Sequence, residues 1–524
     1  MQPWLNSYPL DNDAQFLIDG FSQGFRIPYE KEFKPRISNN HKSAINNSEI
    51  IWEKLEKEIA LGRVAGPFKH IPLNGNIMVS PIGLVEKKSS NDFRLIFDLS
   101  YPKSFSVNDG ISSELSKVQY TSFDKAISMT QKMGRHSLLA KLDIQSAFRL
   151  LPICPDDFKF LGMQHEGFYF VDKTLPFGCS ISCAHFEKFS TFLEHCIKEH
   201  TNTNNWMHYL DDFLVGDKKR ESANVILSKA LSLLNSFGVP IAKEKIFGPA
   251  TIITFLGIEI DTEKMQVRIP QEKIVDILDQ IDMFIEKHAN KSKFTLRQLQ
   301  SIIGKLNFAC KAIQPGRAFS RRLIDATIGL SKPFHHKRVS DEMVQDLIMW
   351  KQFLVSHNGI TMMLPNEWLD NESLNFFTDS SGSIGFGIIF ENAWIAAAWP
   401  DNLIIPRTNI AFLELFPIVM AILIWGPSLQ NKRIVFNCDN LSVVNMISKQ
   451  SSKDRHCMAI LRQLVLTCLQ LNIVIKASHV LGNKNCLADA LSRFQFQKFF
   501  GLNPTADKNM TPIPPSVCQK LLPK

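Results

Sequence analysis

Apolar positions change spacing several times along the chain, and each change predicts an element. From Asn47 to Ile59 they recur every three or four residues behind polar capping residues, which predicts an amphipathic helix. Ile82–Lys88 and Phe93–Leu99 read as two short strands, joined into a hairpin by Ser89-Ser90-Asn91-Asp92. From Ser137 the pattern alternates: a strand ending at Asp143, a helical stretch over Ala184–Glu199, a strand pair centred on Asp211-Asp212, and a helix through Ile226–Phe237. That order indicates an α+β sheet with helices on one face. Leu296, Leu299, Ile303, Leu306, Cys310 and Ile313 predict a helix over 295–313, with Thr295 as its N-cap. A helix and connection cover 340–372. A second α/β unit follows: a strand (Leu374–Thr378), a hairpin (Gly385–Ala398), a helix (Ile410–Trp425), a strand (Arg433–Cys438), a helix, a strand (Ile473–Ala477) and a terminal helix near Asp489. The last ~25 residues, rich in Pro, Lys and polar groups, read as a loose tail.

Composition narrows the picture without deciding it. The 524 residues predict about three or four domains, and 45% hydrophobic with 21% charged residues is ample for several cores. No solenoid-period repeat or low-complexity tract is present. The net charge is +8, and residues 263–340 alone hold 15 Lys/Arg against 7 Asp/Glu, so the remainder is neutral overall. Such a block suits a surface that follows a phosphate backbone, although a solvated helical face has the same composition. The ten cysteines include no C-x-x-C pair; Cys179 and Cys183 lie near His185, but no second pair completes a metal site. This usage predicts reduced, mostly buried thiols in an intracellular protein. Met1 to Ile18 lacks the basic-then-apolar pattern of a secretory signal. The longest apolar stretch, Ile410 to Trp425, is interrupted by Glu414 and Pro417 and falls short of a bilayer span. The expectation is a soluble protein with no membrane partner.

Candidate chemistry lies in the acids. Asp211-Asp212 sits between Trp206-Met207 and Phe213-Leu214-Val215. Neighbouring strand residues face opposite ways, so both acids reach one point only through a tight turn. Asp-Asp is also an ordinary turn dipeptide. Asp143 changes the weighing, because it ends the apolar strand Leu138-Leu139-Ala140-Lys141-Leu142. Buried carboxylates demand a partner, and two Mg²⁺ ions about 4 Å apart need carboxylates from at least two strands.

Five segments, in order, resemble reverse transcriptases over residues of about 80–260: Lys87 and Arg94 in the hairpin, Asp143-x-x-x-Ala147-Phe148, Leu175-Pro176-Phe177-Gly178, Tyr209-Leu210-Asp211-Asp212, and Phe255-Leu256-Gly257. The resemblance implies catalytic metals on Asp143 and Asp211, with Asp212 completing the set. It implies that Lys87 and Arg94 contact the nucleotide triphosphate and that Phe148 excludes the ribose 2′-hydroxyl. It further implies that Gly178 lets backbone approach the nucleotide beside Phe177, where many retroviral enzymes carry Gln. Phe255-Leu256-Gly257 looks like a primer-gripping turn. Lys243 or Lys245 is the candidate for protonating pyrophosphate.

A second set of acids lies at the ends of later elements: Asp379, Glu414, Asp439 and Asp489. Singly each reads as a cap or turn residue; together their repulsion calls for a cation. Their order and context resemble RNase H, which implies two Mg²⁺ and cleavage of the RNA strand of an RNA–DNA hybrid. His479, ten residues before Asp489, is either an aid to proton transfer or product release or a structural histidine.

The resemblances imply a multidomain α+β / α/β fold, a right-hand polymerase followed by a connection and an RNase H-like domain. The boundaries are 1–80 (N-terminal extension and start of the fingers), 81–262 (fingers and palm), 263–340 (basic, thumb-like), 341–372 (connection), 373–497 (RNase H-like) and 498–524 (tail). Arg317, Arg321 and Arg322 join the helix over 295–313 as a grip on duplex backbone. The implied cofactor is Mg²⁺, two per site, with Mn²⁺ as substitute. The implied partners are RNA template, DNA primer and product, RNA–DNA hybrid and dNTPs, in cytoplasm, virus-like particle or nucleus. Gly62-Arg63-Val64-Ala65-Gly66-Pro67-Phe68, Ser80-Pro81-Ile82-Gly83-Leu84-Val85, Phe97-Asp98-Leu99-Ser100, Val107-Asn108-Asp109 and Gly304-Lys305-Leu306-Asn307-Phe308-Ala309-Cys310 look like DIRS-type, tyrosine-recombinase retrotransposons. No protease, zinc-integrase, CCHC or recombinase motif is recognisable. The rival of another class is a domesticated or defective copy that only binds nucleic acid.

Overall fold

A computed structural model describes residues 1–86, 92–356, 359–364, 367–399, 409–480 and 485–521. The chain divides into two compact units, Met1–Ile253 and Thr254–Lys524.

In the first unit, the elements that position chemistry are α1 (Asp11–Gln23), α2 (Ser48–Ala60), β1 (Ile82–Glu86), β2 (Phe93–Phe97), β3 (Leu138–Asp143), β4 (Gly162–His165), β5 (Phe168–Asp172), α3 (Ser182–Thr201), β6 (Trp206–Tyr209), β7 (Asp212–Asp217), α4 (Arg220–Ser236) and β8 (Phe247–Ala250). The strands β8-β3-β7-β6 form one sheet in that order. β3 is buried on both faces, which its Leu-Leu-Ala run permits. The helix α3 carries Phe186, Phe189, Leu193 and Ile197 inward at helical spacing. β1 and β2 pair antiparallel from Ile82↔Phe97 to Glu86↔Phe93, as the alternation predicts. Lys87 and turn residues 89–91 lie outside the described residues. The N-terminal residues Leu5, Leu17, Phe25, Ile51 and Leu55 enter the same core as Phe148, Phe186 and Phe213, so this stretch is part of the unit and not an appendage.

The second unit contains α5 (Gln271–Ala289), α6 (Leu296–Ala309), α7 (Asp341–Ser356), β9 (Trp368–Leu369), β10 (Phe376–Ser380), β11 (Gly385–Phe390), β12 (Ala393–Ala398), α8 (Ile410–Trp425), β13 (Arg433–Cys438), α9 (Leu441–Lys449), α10 (Arg455–Gln470), β14 (Val474–His479), α11 (Cys486–Ser492), α12 (Phe496–Leu502) and α13 (Pro515–Leu521). Thr295 caps α6 in a full capping box with Gln298. The buried stripe of α6 is Leu296, Leu299, Ile302, Leu306 and Ala309. Ile302 therefore takes the inward place expected of Ile303, and the helix ends before Cys310. β10-β11-β12 form an antiparallel sheet, whereas β9-β13-β14 form a parallel one. Phe376 of β10 meets Phe436 of β13 edge to face at 4.8 Å between ring centroids. One helix was expected between β13 and β14, and two are present, separated at Gln450 in the left-handed region.

Two expectations change. Together with the turn through Leu429, α8 makes 20 residues apolar enough to cross a bilayer by length and composition, so shortness is no argument. Its apolarity is instead that of a core helix, with 61% of the window buried inside the fold. The C-terminal tail is also not loose. Phe499, Val517 and Leu521 are buried. The Trp394 indole donates to the Asp507 carbonyl at 2.8 Å, and Thr511 N–H donates to the Trp394 carbonyl at 2.9 Å. A few apolar residues spaced widely among Pro and Lys suffice to dock it.

Candidate active sites

The first site is built by strand register. Asp212, first residue of β7, pairs directly with Asp143, last residue of β3, and also with Tyr209 at the end of β6. Asp211 occupies the β6–β7 turn, and its carbonyl accepts the Ile144 N–H at 3.0 Å. Leu210 stands at φ 54, and positive φ at a hairpin's first central position is normally given to glycine. A leucine held there is stored strain, at the point that brings Asp211 and Asp212 towards Asp143.

Electrostatics bind the three into one group. Burial, then the neighbouring charges of Asp211 and Asp143, push Asp212 up to about 6. Burial and Asp143 raise Asp211 as well. The relief comes from Lys245, whose Nζ donates to both Asp143 oxygens at 2.8 and 2.9 Å. Burial works against the Lys245 charge, yet its bond to Asp143 and the other two acids hold its pKa above the ordinary value. Of the two candidate lysines, the short 3₁₀ turn Lys243–Lys245 thus delivers Lys245 to the acids.

A buried ion cluster braces the next strand. His208 of β6 faces Glu194 and Glu187 of α3: Nδ1 bonds Glu194, and Nε2 lies 3.3 Å from Glu187. Burial would lower His208, but these bonds outweigh it and hold the imidazole above its usual range. Burial likewise opposes Glu194, yet His208 and Lys198 bring it down to about 2.

The nucleotide candidates separate. Phe148 is buried, its ring 4.9 Å from Phe177 and 5.4 Å from Phe186. Phe177 itself is 67% exposed. Gly178 has a structural reason for its lack of a side chain: a Cβ there would stand 1.9 Å from the Phe97 carbonyl oxygen. Asn108 clamps this loop, donating to the Gly178 carbonyl and accepting from Ser180 N–H, both at 2.9 Å. Arg94 is exposed on β2. In the second unit, Leu256 and Gly257 both have positive φ, the pattern of a type I′ hairpin turn. The Lys273 ammonium donates to the Gly257 carbonyl at 3.2 Å and sits 4.1 Å over the Phe308 ring.

The second site is spread over four element types. Asp379 lies inside β10, where its strand extends to Ser380, and is buried. Burial raises it, and Asp489 and Asp439 add to that against a hydrogen bond from Ser492. Glu414 sits on α8 among Phe412, Leu413, Leu415 and Phe416; burial first, then Asp379 and Asp439, push it up to about 9. Asp439 is exposed just past β13. Asp489 on α11 is held by Arg493 Nε at 2.7 Å and approached by Lys498 at 3.7 Å. His479 Nε2 lies 3.2 Å from the Asp439 carbonyl oxygen. It lines, with Glu414, Asp439 and Ser442, an open cleft of about 400 Å³.

Hard oxygen donors brought together at one place suit a divalent cation. Among the described residues, however, no three His, Cys, Asp or Glu side chains are closed into a metal-holding cluster. Lys245 on Asp143 and Arg493 on Asp489 supply the positive charge instead. Asn108 and Ser492 went unread as site residues, since only the fold brings them to Gly178 and Asp379.

Residues 85–260 match the sequence pattern of the family described as reverse transcriptase (RNA-dependent DNA polymerase). Protein P of heron hepatitis B virus is 27% identical over 169 residues, 32% of this chain and 20% of that protein. The match thus spans about a fifth of that relative's length. A foamy viral protease-reverse transcriptase, solved with double-stranded DNA, is 17% identical over 92% of this chain and 81% of its own, at a TM-score of 0.51. Another foamy viral protease-reverse transcriptase, solved with an RNA/DNA hybrid, is 16% identical over 92% of this chain and 62% of its own, at 0.48. The fold is accordingly a mixed α/β multidomain polymerase fold.

Proposed function

We propose that this chain, whose residues 85–260 match the reverse transcriptase family, copies RNA, and then DNA, into DNA and removes the RNA of the resulting hybrid. The observation that carries the first activity is the Asp143↔Asp212 register, with Asp211 in the strained turn beside it. Mg²⁺, when bound by Asp143, Asp211 and Asp212, supplies the charge that stabilises attacking and leaving oxygens of in-line nucleotidyl transfer; Mn²⁺ is the substitute. Lys245 holds a proton at Nζ beside Asp143 and is the donor available to the leaving pyrophosphate. Phe148, its ring against Phe177 and Phe186, is by its place in the motif the residue that would exclude a ribose 2′-hydroxyl. Arg94, and Lys87 by its place in the hairpin motif, complete the nucleotide contacts.

The second activity rests on Asp379, Glu414, Asp439 and Asp489, whose mutual repulsion asks for cations. His479 at the lip of the same cleft is placed to move a proton. The six-part division by function is retained, with the described part of the last segment, 498–521, docked in the nuclease-like region. Template RNA, primer DNA, hybrid and dNTPs are the partners; a solved protein of the same fold holds double-stranded DNA. The motif set favours a DIRS-type retrotransposon, acting in cytoplasm, particle or nucleus. Primer extension on an RNA template with Mg²⁺ tests the polymerase: wild type extends and Asp211→Asn does not. Equal extension by both would refute the role of Asp211, and extension by neither would leave a nucleic-acid-binding protein without this chemistry. Hybrid cleavage, lost in Asp439→Asn, tests the second site.

A further inference from the structure

The four acids of the second site do not hold themselves in place. Asp379 is buried in β10 and has no direct ammonium or guanidinium partner among the described residues, unlike Asp143 or Asp489. A carboxylate's last torsion is broad, so an unsupported Asp379 would turn between orientations. One helix supplies the support. Ser492, fully buried at the end of α11, directs its hydroxyl at Asp379 Oδ2 across 2.6 Å. The Asp489 carbonyl is a second acceptor at 3.0 Å. The hydroxyl has one proton, and the shorter distance and full negative charge assign it to Asp379.

The same helix is fixed against the strands. Asn485, just before α11, donates to the Thr378 carbonyl at 2.8 Å and, more weakly, to Asp379 Oδ1 at 3.5 Å. Gly387 of β11 leaves room for the helix backbone, since a Cβ there would lie 2.5 Å from Leu491 Cβ and 2.7 Å from Ser492 N. Ser492 follows Asp489 by three residues, so one rigid turn carries both an acid and the group that aims a second acid.

We propose that Ser492 is a positioning residue of the second site, holding one oxygen of Asp379 so that the other faces the divalent cation. This rests on the nuclease reading of the four acids. Hydrogen-bond partners of metal ligands typically contribute 10–100-fold in metal affinity, which sets the expected size.

The test uses the full chain with Asp143→Asn and Asp211→Asn in place, so that Mn²⁺ binding reports the second site. Bound Mn²⁺, counted from the electron paramagnetic resonance of the free ion, should weaken about 10–100-fold in Ser492→Ala. Ser492→Thr, which keeps the hydroxyl, should bind within a few-fold of the parent. With the polymerase acids restored, Ser492→Ala should extend primers normally while needing more Mn²⁺ for hybrid cleavage. Unchanged Mn²⁺ binding in Ser492→Ala, alongside loss of binding in Asp439→Asn, would overturn the role of Ser492 and leave the nuclease reading standing. Unchanged binding in Asp439→Asn as well would remove the nuclease reading and the role of Ser492 with it. If Ser492→Ala also loses extension, the comparison passes to Ser492→Thr and Ser492→Cys, and equal Mn²⁺ affinity in the two would overturn the proposal.

Discussion

The two acid clusters answer like-charge repulsion in different ways. In the first unit, all three acids come from two adjacent strand ends and one turn, and Lys245 answers their charge directly. In the second unit, strand, core helix, strand end and terminal helix each contribute one acid, and Arg493 pairs with the last while its charge also lowers Asp379. Glu414 is pushed up to about 9 by burial first and then by Asp379 and Asp439, and Asp212 up to about 6 by burial and then by Asp211 and Asp143, with Lys141 and Lys245 opposing. A site assembled from one sheet can carry its own counter-charge. A site assembled across a core helix places its buried Glu414 where burial and like charges act together.

The sharpest way to break this comparison is to disable one site and read both. Asp143→Asn should lower primer extension by at least about 10³-fold, a loss within the several kcal/mol that two-metal charge stabilisation supplies, with hybrid cleavage unchanged. Loss of both activities would mean that the two sites are not separable. Deleting residues from 496 onward should destabilise the second unit by several kcal/mol, because Phe499, Val517 and Leu521 are buried and each such side chain contributes about 1.5–3 kcal/mol. Denaturant unfolding followed separately in the two units would check it; an unchanged midpoint would contradict the docked tail.

Lys245→Met probes the built-in counter-charge. Extension should fall on the order of 10²–10⁴-fold, the range of general-acid contributions, while Lys243→Met stays near wild type. The smallest expected effect is in the pH dependence without divalent cations. Glu414 is raised in the folded state, so folding loses stability as pH climbs from the usual carboxylate range towards about 9. Glu414→Gln should remove that slope and raise the alkaline Tm of the second unit by a few degrees, since about 1 kcal/mol moves a unit of this size by about 2–4 °C. The first unit should behave oppositely in acid. Glu194 is depressed to about 2, so its contribution is present above the ordinary carboxylate range and is lost as pH falls through about 2. His208, raised by its partners, contributes fully below its ordinary value and loses that as pH rises past its folded value.

Where local pattern decides structure, the sequence was legible. Helix Ile410–Trp425 and strand Arg433–Cys438 form at the expected residues, because a long apolar stretch and a short β-branched and aromatic run leave little choice. The strand end at Asp143 and the turn at Asp211 were equally readable. What escaped depends on packing between distant segments. The choice of Lys245 over Lys243 follows from the phase of one 3₁₀ turn. The Gly178 requirement comes from the Phe97 carbonyl, some eighty residues away in sequence, and the tail docks through contacts with β12 that no periodicity announces. Ser492 looked like any serine near a helix end.

The central claim is that Asp143, Asp211 and Asp212 perform nucleotidyl transfer directed by RNA. One preparation of wild-type protein and one of Asp211→Asn, given a DNA primer on an RNA template with Mg²⁺ and dNTPs, test it most directly. Full-length DNA in the wild type alone, with equal hybrid cleavage by both proteins, is the predicted result. Extension by Asp211→Asn at the wild-type rate would contradict it.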